Sequence, residues 1–166
     1  MISGHTFTIN NEILLANALR LRGHRVTFVI CDQKLSICET KKYGKEDRWK
    51  ELCGKCYSFG KKLLESTGFD VIPISTLTQN HREVNTEMFN HIKEATLLKH
   101  YQVGELDEET NDKQHREALI EDTVHTTAKV GRSIVDLKPD TVIMSHGIYA
   151  TWGPQREILC DAGIPV

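Results

Sequence analysis

The sequence predicts an α/β domain, an open parallel sheet with helices on both faces. Three observations lead there. Stretches with a helical apolar period alternate with short β-branched runs along the chain. The segment Leu19-Arg20-Leu21-Arg22-Gly23-His24-Arg25-Val26-Thr27-Phe28-Val29-Ile30-Cys31-Asp32 reads as helix, glycine stop and buried strand, half of a βαβ unit. Late in the chain, Thr141-Val142-Ile143-Met144-Ser145 is a nearly continuous apolar run of the kind buried on both sheet faces.

Taken in order, residues 10–21 place Ile13, Leu14, Ala18 and Leu21 at helical spacing, with Asn10 as a cap and Gly23 as the stop. A strand follows over residues 25–30. A second helix is predicted over 46–67, with Trp49, Leu52, Cys53, Cys56, Phe59, Gly60 and Leu63 on one stripe and Gly68 ending it. Residues 69–74 form the next strand, with Pro73 marking an edge or the end of pairing. Helices are predicted over 82–101 and 112–137, separated by the acidic turn 105–110. Lys138-Pro139-Asp140 breaks the second of these before the strand 141–145. A last helix starts near Pro154 and stops at Gly163, and Ile164-Pro165-Val166 opens another strand. Gly4-His5-Thr6 stands where the loop after a first strand belongs, yet only three residues precede it, so that strand is expected to be missing and the chain clipped at both ends. The layout is Rossmann-like, one domain over residues 1–166, without GxGxxG or GxxxxGK[ST] phosphate loops.

At 166 residues, 39% hydrophobic and 27% charged, the chain has enough apolar material for one core. No apolar run approaches the roughly 18 to 20 residues that span a bilayer. The amino terminus lacks the basic-then-apolar layout of a signal peptide, which makes the cytoplasm the expected compartment. With net charge −2 and only two-residue basic clusters, Lys41-Lys42 and Lys61-Lys62, no nucleic-acid footprint is present.

Four of the five cysteines, Cys31, Cys38, Cys53 and Cys56, lie within 26 residues, spaced C-x(6)-C-x(14)-C-x(2)-C. Cys53 and Cys56 share a helix face, so a structural zinc held by the four thiolates is one reading. Buried reduced thiols are a second, since both also fall on the apolar stripe, and redox chemistry is a third. Cys160 reads as core. Two histidines sit where open sheets place chemistry, His5 after the first strand and His146 after the strand 141–145, each beside a glycine, Gly4 and Gly147. Either imidazole suits general base chemistry near neutral pH. The other six histidines are expected on solvated helix faces. Tyr149 and Trp152 stand in a Gly/Pro-bounded loop, where they either stack on a sugar ring or plug the core.

Gly4-His5-Thr6-Phe7-Thr8-Ile9-Asn10, the helix ending Leu19-Arg20-Leu21-Arg22-Gly23-His24, the strand into Cys31-Asp32, Leu137-Lys138-Pro139-Asp140-Thr141-Val142-Ile143 and Asp161-Ala162-Gly163-Ile164-Pro165-Val166 together resemble the amino-terminal domain of GT-B fold glycosyltransferases of bacterial capsular and surface polysaccharide biosynthesis. Cys31-Asp32, Cys38-Glu39 and Cys53-x-x-Cys56 look like features of that subgroup. The resemblance implies a carbohydrate acceptor bound here, a nucleotide-sugar donor bound by a carboxyl-terminal domain that this sequence lacks, and an isolated chain inactive in transfer. It further implies His5 as the base that deprotonates the acceptor hydroxyl, with His146, Gly147, Tyr149 and Trp152 facing the acceptor. A peripheral membrane association is compatible with it. Half of a sugar-nucleotide epimerase and a thiolate-zinc interaction module are the alternative readings.

Overall fold

The computed structural model describes residues 2–3 (backbone only), 8–41, 44–79, 84–105 and 112–166. They form a mixed α/β structure around a three-stranded parallel sheet: β1 (Ile2–Ser3), β2 (Thr27–Ile30) and β3 (Asp70–Pro73) in the order β1-β2-β3. Ile2 pairs with Val29 and Ser3 with Ile30, so the first strand, expected to be missing, is present as two residues. A strand this short is invisible to composition because its partner, not its own sequence, defines it.

Among the described residues six α-helices accompany the sheet: α1 (Ile9–Leu21), α2 (Trp49–Thr67), α3 (Ile74–Leu77), α4 (Asn90–Tyr101), α5 (Lys113–Asp136) and α6 (Gly153–Asp161). Gly68 closes α2 in the left-handed region at φ 69°, the conformation its position predicts. β2 is buried on both faces. Phe28 and Ile30 pack with Ile9, Ala16, Leu64 and Phe69 beneath α1 and α2. Val29, between them and hence on the opposite face, packs with Val130, Ile134, Trp152 and Leu159 of the α5–α6 side. Gly60 lets α2 approach closely, since a Cβ there would stand 3.1 Å from Ile30 Cδ1.

Three expected elements differ, and one of them, the strand expected to open at Ile164-Pro165-Val166, is not formed. The helix predicted from residue 82 begins as α4 at Asn90, after a 3₁₀ turn over Glu87–Phe89. The Asn85 carboxamide oxygen accepts the Glu87 N–H at 2.9 Å, a local turn that competes with helix, and residues 80–83 lie outside the described ones. The strand predicted over 141–145 reduces to a single bridge at Met144. Val142 N–H donates to Pro165 O at 2.9 Å and Thr141 Oγ1 donates to the same oxygen at 3.0 Å. Pro165 has no N–H of its own to donate between these segments.

α5 is the central helix, burying a wide stripe against α3, α4 and α6. Its closest approach to α6 is at Gly131, where a Cβ would lie 3.0 Å from Gln155 Cα and 3.4 Å from Ile158. Backbone cannot swing aside as a side-chain end can. Gly131→Leu is therefore expected to lower stability by about 1–3 kcal/mol, read as a lower urea midpoint with an unchanged slope.

Candidate functional site

The loop following β2 and the loop preceding α6 meet above the carboxyl end of the sheet, and the interactions that hold each are local and specific. After β2, Asp32 Oδ1 accepts the Ser75 N–H at 3.1 Å, closing the edge between β2 and α3. Farther on, Ile37 N–H donates to Thr123 Oγ1 of α5 at 2.9 Å, and Lys41 Nζ donates back to the Ser36 carbonyl at 3.2 Å. These contacts turn Cys38 and Glu39 toward α4. On the other side, Ala150 N–H donates to Thr96 Oγ1 at 2.9 Å while Thr127 Oγ1 donates to Ala150 O at 2.8 Å, so α4 and α5 clamp the segment carrying Tyr149. Gly153 N–H donates to Tyr149 O at 2.7 Å, and any side chain at Gly153 would meet Ile92, 2.7 Å from its Cβ position. Ser145 Oγ donates to Glu12 Oε1 at 3.2 Å, tying the start of this loop to α1.

Between the two loops and the last turns of α4 lies a cavity of about 130 Å³ bordered by Cys38, Glu39, Thr96, Lys99, Tyr149 and Thr151. Lys99 Nζ stands 3.8 Å above the Tyr149 ring centroid and is ion-paired with Glu39. The cavity thus joins an aromatic face, an ammonium, a carboxylate and threonine hydroxyls. Such a set suits a small, uncharged, hydroxylated ring: apolar C–H faces against the tyrosine, hydroxyls toward the charged pair.

The sequence-predicted residues fall into five places. His5 lies outside the described residues. Tyr149 lines the cavity. His146 stands behind it, edge-on to Tyr149 at 5.3 Å and to Trp152 at 4.4 Å. Trp152 is 3% exposed and belongs to the core beneath the sheet, where it forms the wall against which His146 rests. Gly147 is overlain by the Arg156 side chain, which occupies the space a Cβ would take.

Burial lowers the His146 pKa below its ordinary value of 6.5; Glu39 opposes the shift and Lys99 reinforces it. Among the described residues its Nδ1 is buried with no hydrogen-bond partner. Burial disfavours the charged ring, so near neutral pH the side chain is a neutral imidazole. His146 is expected to titrate below 6.5, seen by its ring nitrogens in a long-range ¹H–¹⁵N spectrum. The sign for stability follows. The unfolded chain takes up this proton at its ordinary pKa and the folded chain resists it, so the contribution is complete above 6.5 and declines as pH falls below that value.

Lys99 was not singled out by sequence, because a lysine on a helix reads as a solvated position. His100, expected on a solvated face, is half-buried, edge-on to Trp49 at 6.1 Å and 3.3 Å from Arg116 Nη1. Burial first and the Arg116 charge second lower its pKa. Arg116 itself, with a side chain 4% exposed, is held by Glu46 and by Asp112, so this group braces the starts of α2 and α5 against the end of α4.

Cys31, Cys38, Cys53 and Cys56 are half-buried and not joined in disulfides. Burial pushes the Cys31 thiol up to about 11, with Cys38 and Cys53 adding to the shift, and burial likewise raises Cys53. Among the described residues no group of three or more His, Cys, Asp or Glu side chains is placed to hold a metal ion. Cys160, expected in the core, is exposed, because α6 turns Gln155 and Leu159 inward and carries the next residue round to solvent. Also among the described residues, no helix is long and apolar enough to cross a membrane. No family model matches the chain, and neither a curated protein nor a solved structure matches it.

Proposed function

We propose that this is the Rossmann-like, acceptor-side domain of a GT-B glycosyltransferase, and that its cavity receives one sugar ring of a polysaccharide or glycolipid acceptor. The observation that carries this reading is the placement of Tyr149 with Lys99 and Glu39 in a small cavity at the carboxyl edge of a parallel sheet. At about 130 Å³ the space suits part of a ligand rather than a whole one, as expected where a longer saccharide lies across a cleft. In this reading Tyr149 supplies the stacking face, Glu39 accepts and Lys99 donates hydrogen bonds at ring hydroxyls, and His146 backs the tyrosine. His5, which follows β1 in sequence, serves as base, and a companion domain brings the nucleotide-activated sugar.

Saturation-transfer NMR of the chain with a panel of methyl hexopyranosides at millimolar concentration tests the reading. Transfer to the ring protons of at least one glycoside, weakened by Lys99→Met, is the expected result. Absence of transfer across the whole panel, or transfer that Lys99→Met leaves unchanged, overturns it.

A further inference from the structure

Two surfaces of this chain complement each other. The first is the outer face of α1, where Leu14 is 72% and Leu21 89% exposed, with exposed Ala18 between them. Spaced four and three residues apart, the three form one stripe, and a solvent-facing apolar stripe on a helix marks a surface that meets something. Arg22 and Arg25 stand exposed at the carboxyl end of this helix and in the turn beyond it. From Ile13 to Cys31 the sequence holds no acidic residue to balance them.

The second surface is the groove between α4 and α5, a space of about 580 Å³. Its floor is apolar, made by Leu97, Leu98 and Ile120, and its rim carries the exposed carboxylates of Glu94, Glu105 and Glu117. Of the rim lysines, Lys93 is paired with Glu121 at 2.5 Å, and Lys113 by itself leaves the rim net negative. The lengths also agree: at about 1.5 Å per residue, the 13 residues of α1 and the 12 of α4 span similar distances. A leucine stripe beside arginines, set into an apolar floor beside glutamates, is helix-in-groove recognition with complementary charge. Within one chain the two cannot meet, because α1 packs over Phe28 and Ile30 on one face of β2 while α5 packs over Val29 on the other. We propose that the outer face of α1 docks in the α4–α5 groove of a second copy of this chain, with Leu14 and Leu21 on the apolar floor and Arg22 and Arg25 at the glutamate rim. The contact is heterologous, one copy's helix in another's groove. It stands independently of what the cavity beside Tyr149 binds.

Sedimentation velocity tests this. The unmodified chain should associate more as its concentration rises and less as salt rises. A helix variant, Leu14→Glu/Leu21→Glu, and a groove variant, Glu94→Lys/Glu117→Lys, should each self-associate at least tenfold more weakly. Mixed together they should form a complex, because the first keeps an intact groove and the second an intact helix face. All four side chains are exposed, and an unchanged near-ultraviolet circular dichroism spectrum verifies that each variant is folded. Without any variant, diluting the ¹⁵N-labelled chain should move the amides of residues 14–25 together with those of 93–98 and 113–121. A chain that stays monomeric up to about 1 mM overturns the proposal, whatever else its leucines bind. So does a groove variant that associates as the unmodified chain does, since the stripe would then pair with itself. A mixture that forms no complex, or dilution shifts that spare the groove, overturns it equally.

Discussion

Replacing Trp152 by alanine is expected to lower the unfolding free energy by about 3–5 kcal/mol and to return the His146 pKa toward its ordinary 6.5. Both effects come from one side chain. Trp152 is 3% exposed among Val29, Ile134 and Leu159, so its removal leaves a cavity between the sheet and the α5–α6 layer. Its indole also lies 4.4 Å from the His146 ring and keeps water from one side of it. At a few degrees per kcal/mol for a chain of this size, the melting temperature should fall by on the order of 10 °C. Trp152→Phe should keep most of both properties. An alanine variant that melts normally, or one in which His146 titrates as before, would show that Trp152 is not the wall of this site.

Tyr149→Ala is expected to weaken binding of a responsive glycoside at least tenfold, about 1.4 kcal/mol, while Tyr149→Phe retains it. The distinction isolates the ring face from the hydroxyl. Stability should change little beyond the loss of the Lys99 contact, on the order of 0.5–1 kcal/mol for an exposed cation–π pair, because Tyr149 is half-buried and sits at the cavity rim. Titration calorimetry on both variants, with thermal melts as the folding control, measures the two quantities separately. Equal affinity in the alanine variant would remove the tyrosine from the site.

Where local chemistry decides the structure, the sequence was readable. Gly68 had to end α2 because the chain there takes a positive φ, and β2 had to be buried because Phe28, Val29 and Ile30 are apolar on both alternating faces. The long periodicity of α5 was equally plain. Partner-dependent features were not. β1 exists only through its pairing with Val29 and Ile30, and the segment 141–145 forms a lone bridge at Met144 while its Val142 N–H is taken by the distant Pro165 carbonyl. Helix α4 starts late on account of a turn made by the Asn85 side chain.

The site divides in the same way. An aromatic loop bounded by glycine and proline pointed to Tyr149 and Trp152, but burial alone separates their roles, one at the rim and the other in the core. Glu39 and Lys99 are 60 residues apart, and nothing in either local sequence says that they form an ion pair. The imidazole of His146 was legible as chemistry. The lowering of its pKa was not, since that follows from burial.

A titration of ¹⁵N-labelled protein with a methyl hexopyranoside, followed amide by amide, tests most directly whether the cavity above β2 is a carbohydrate site. Saturable shifts should concentrate in residues 37–41, 96–102 and 146–152, the three segments that surround Tyr149 and Lys99. Shifts confined to other parts of the molecule, or no saturable shift with any glycoside of the panel, would contradict it.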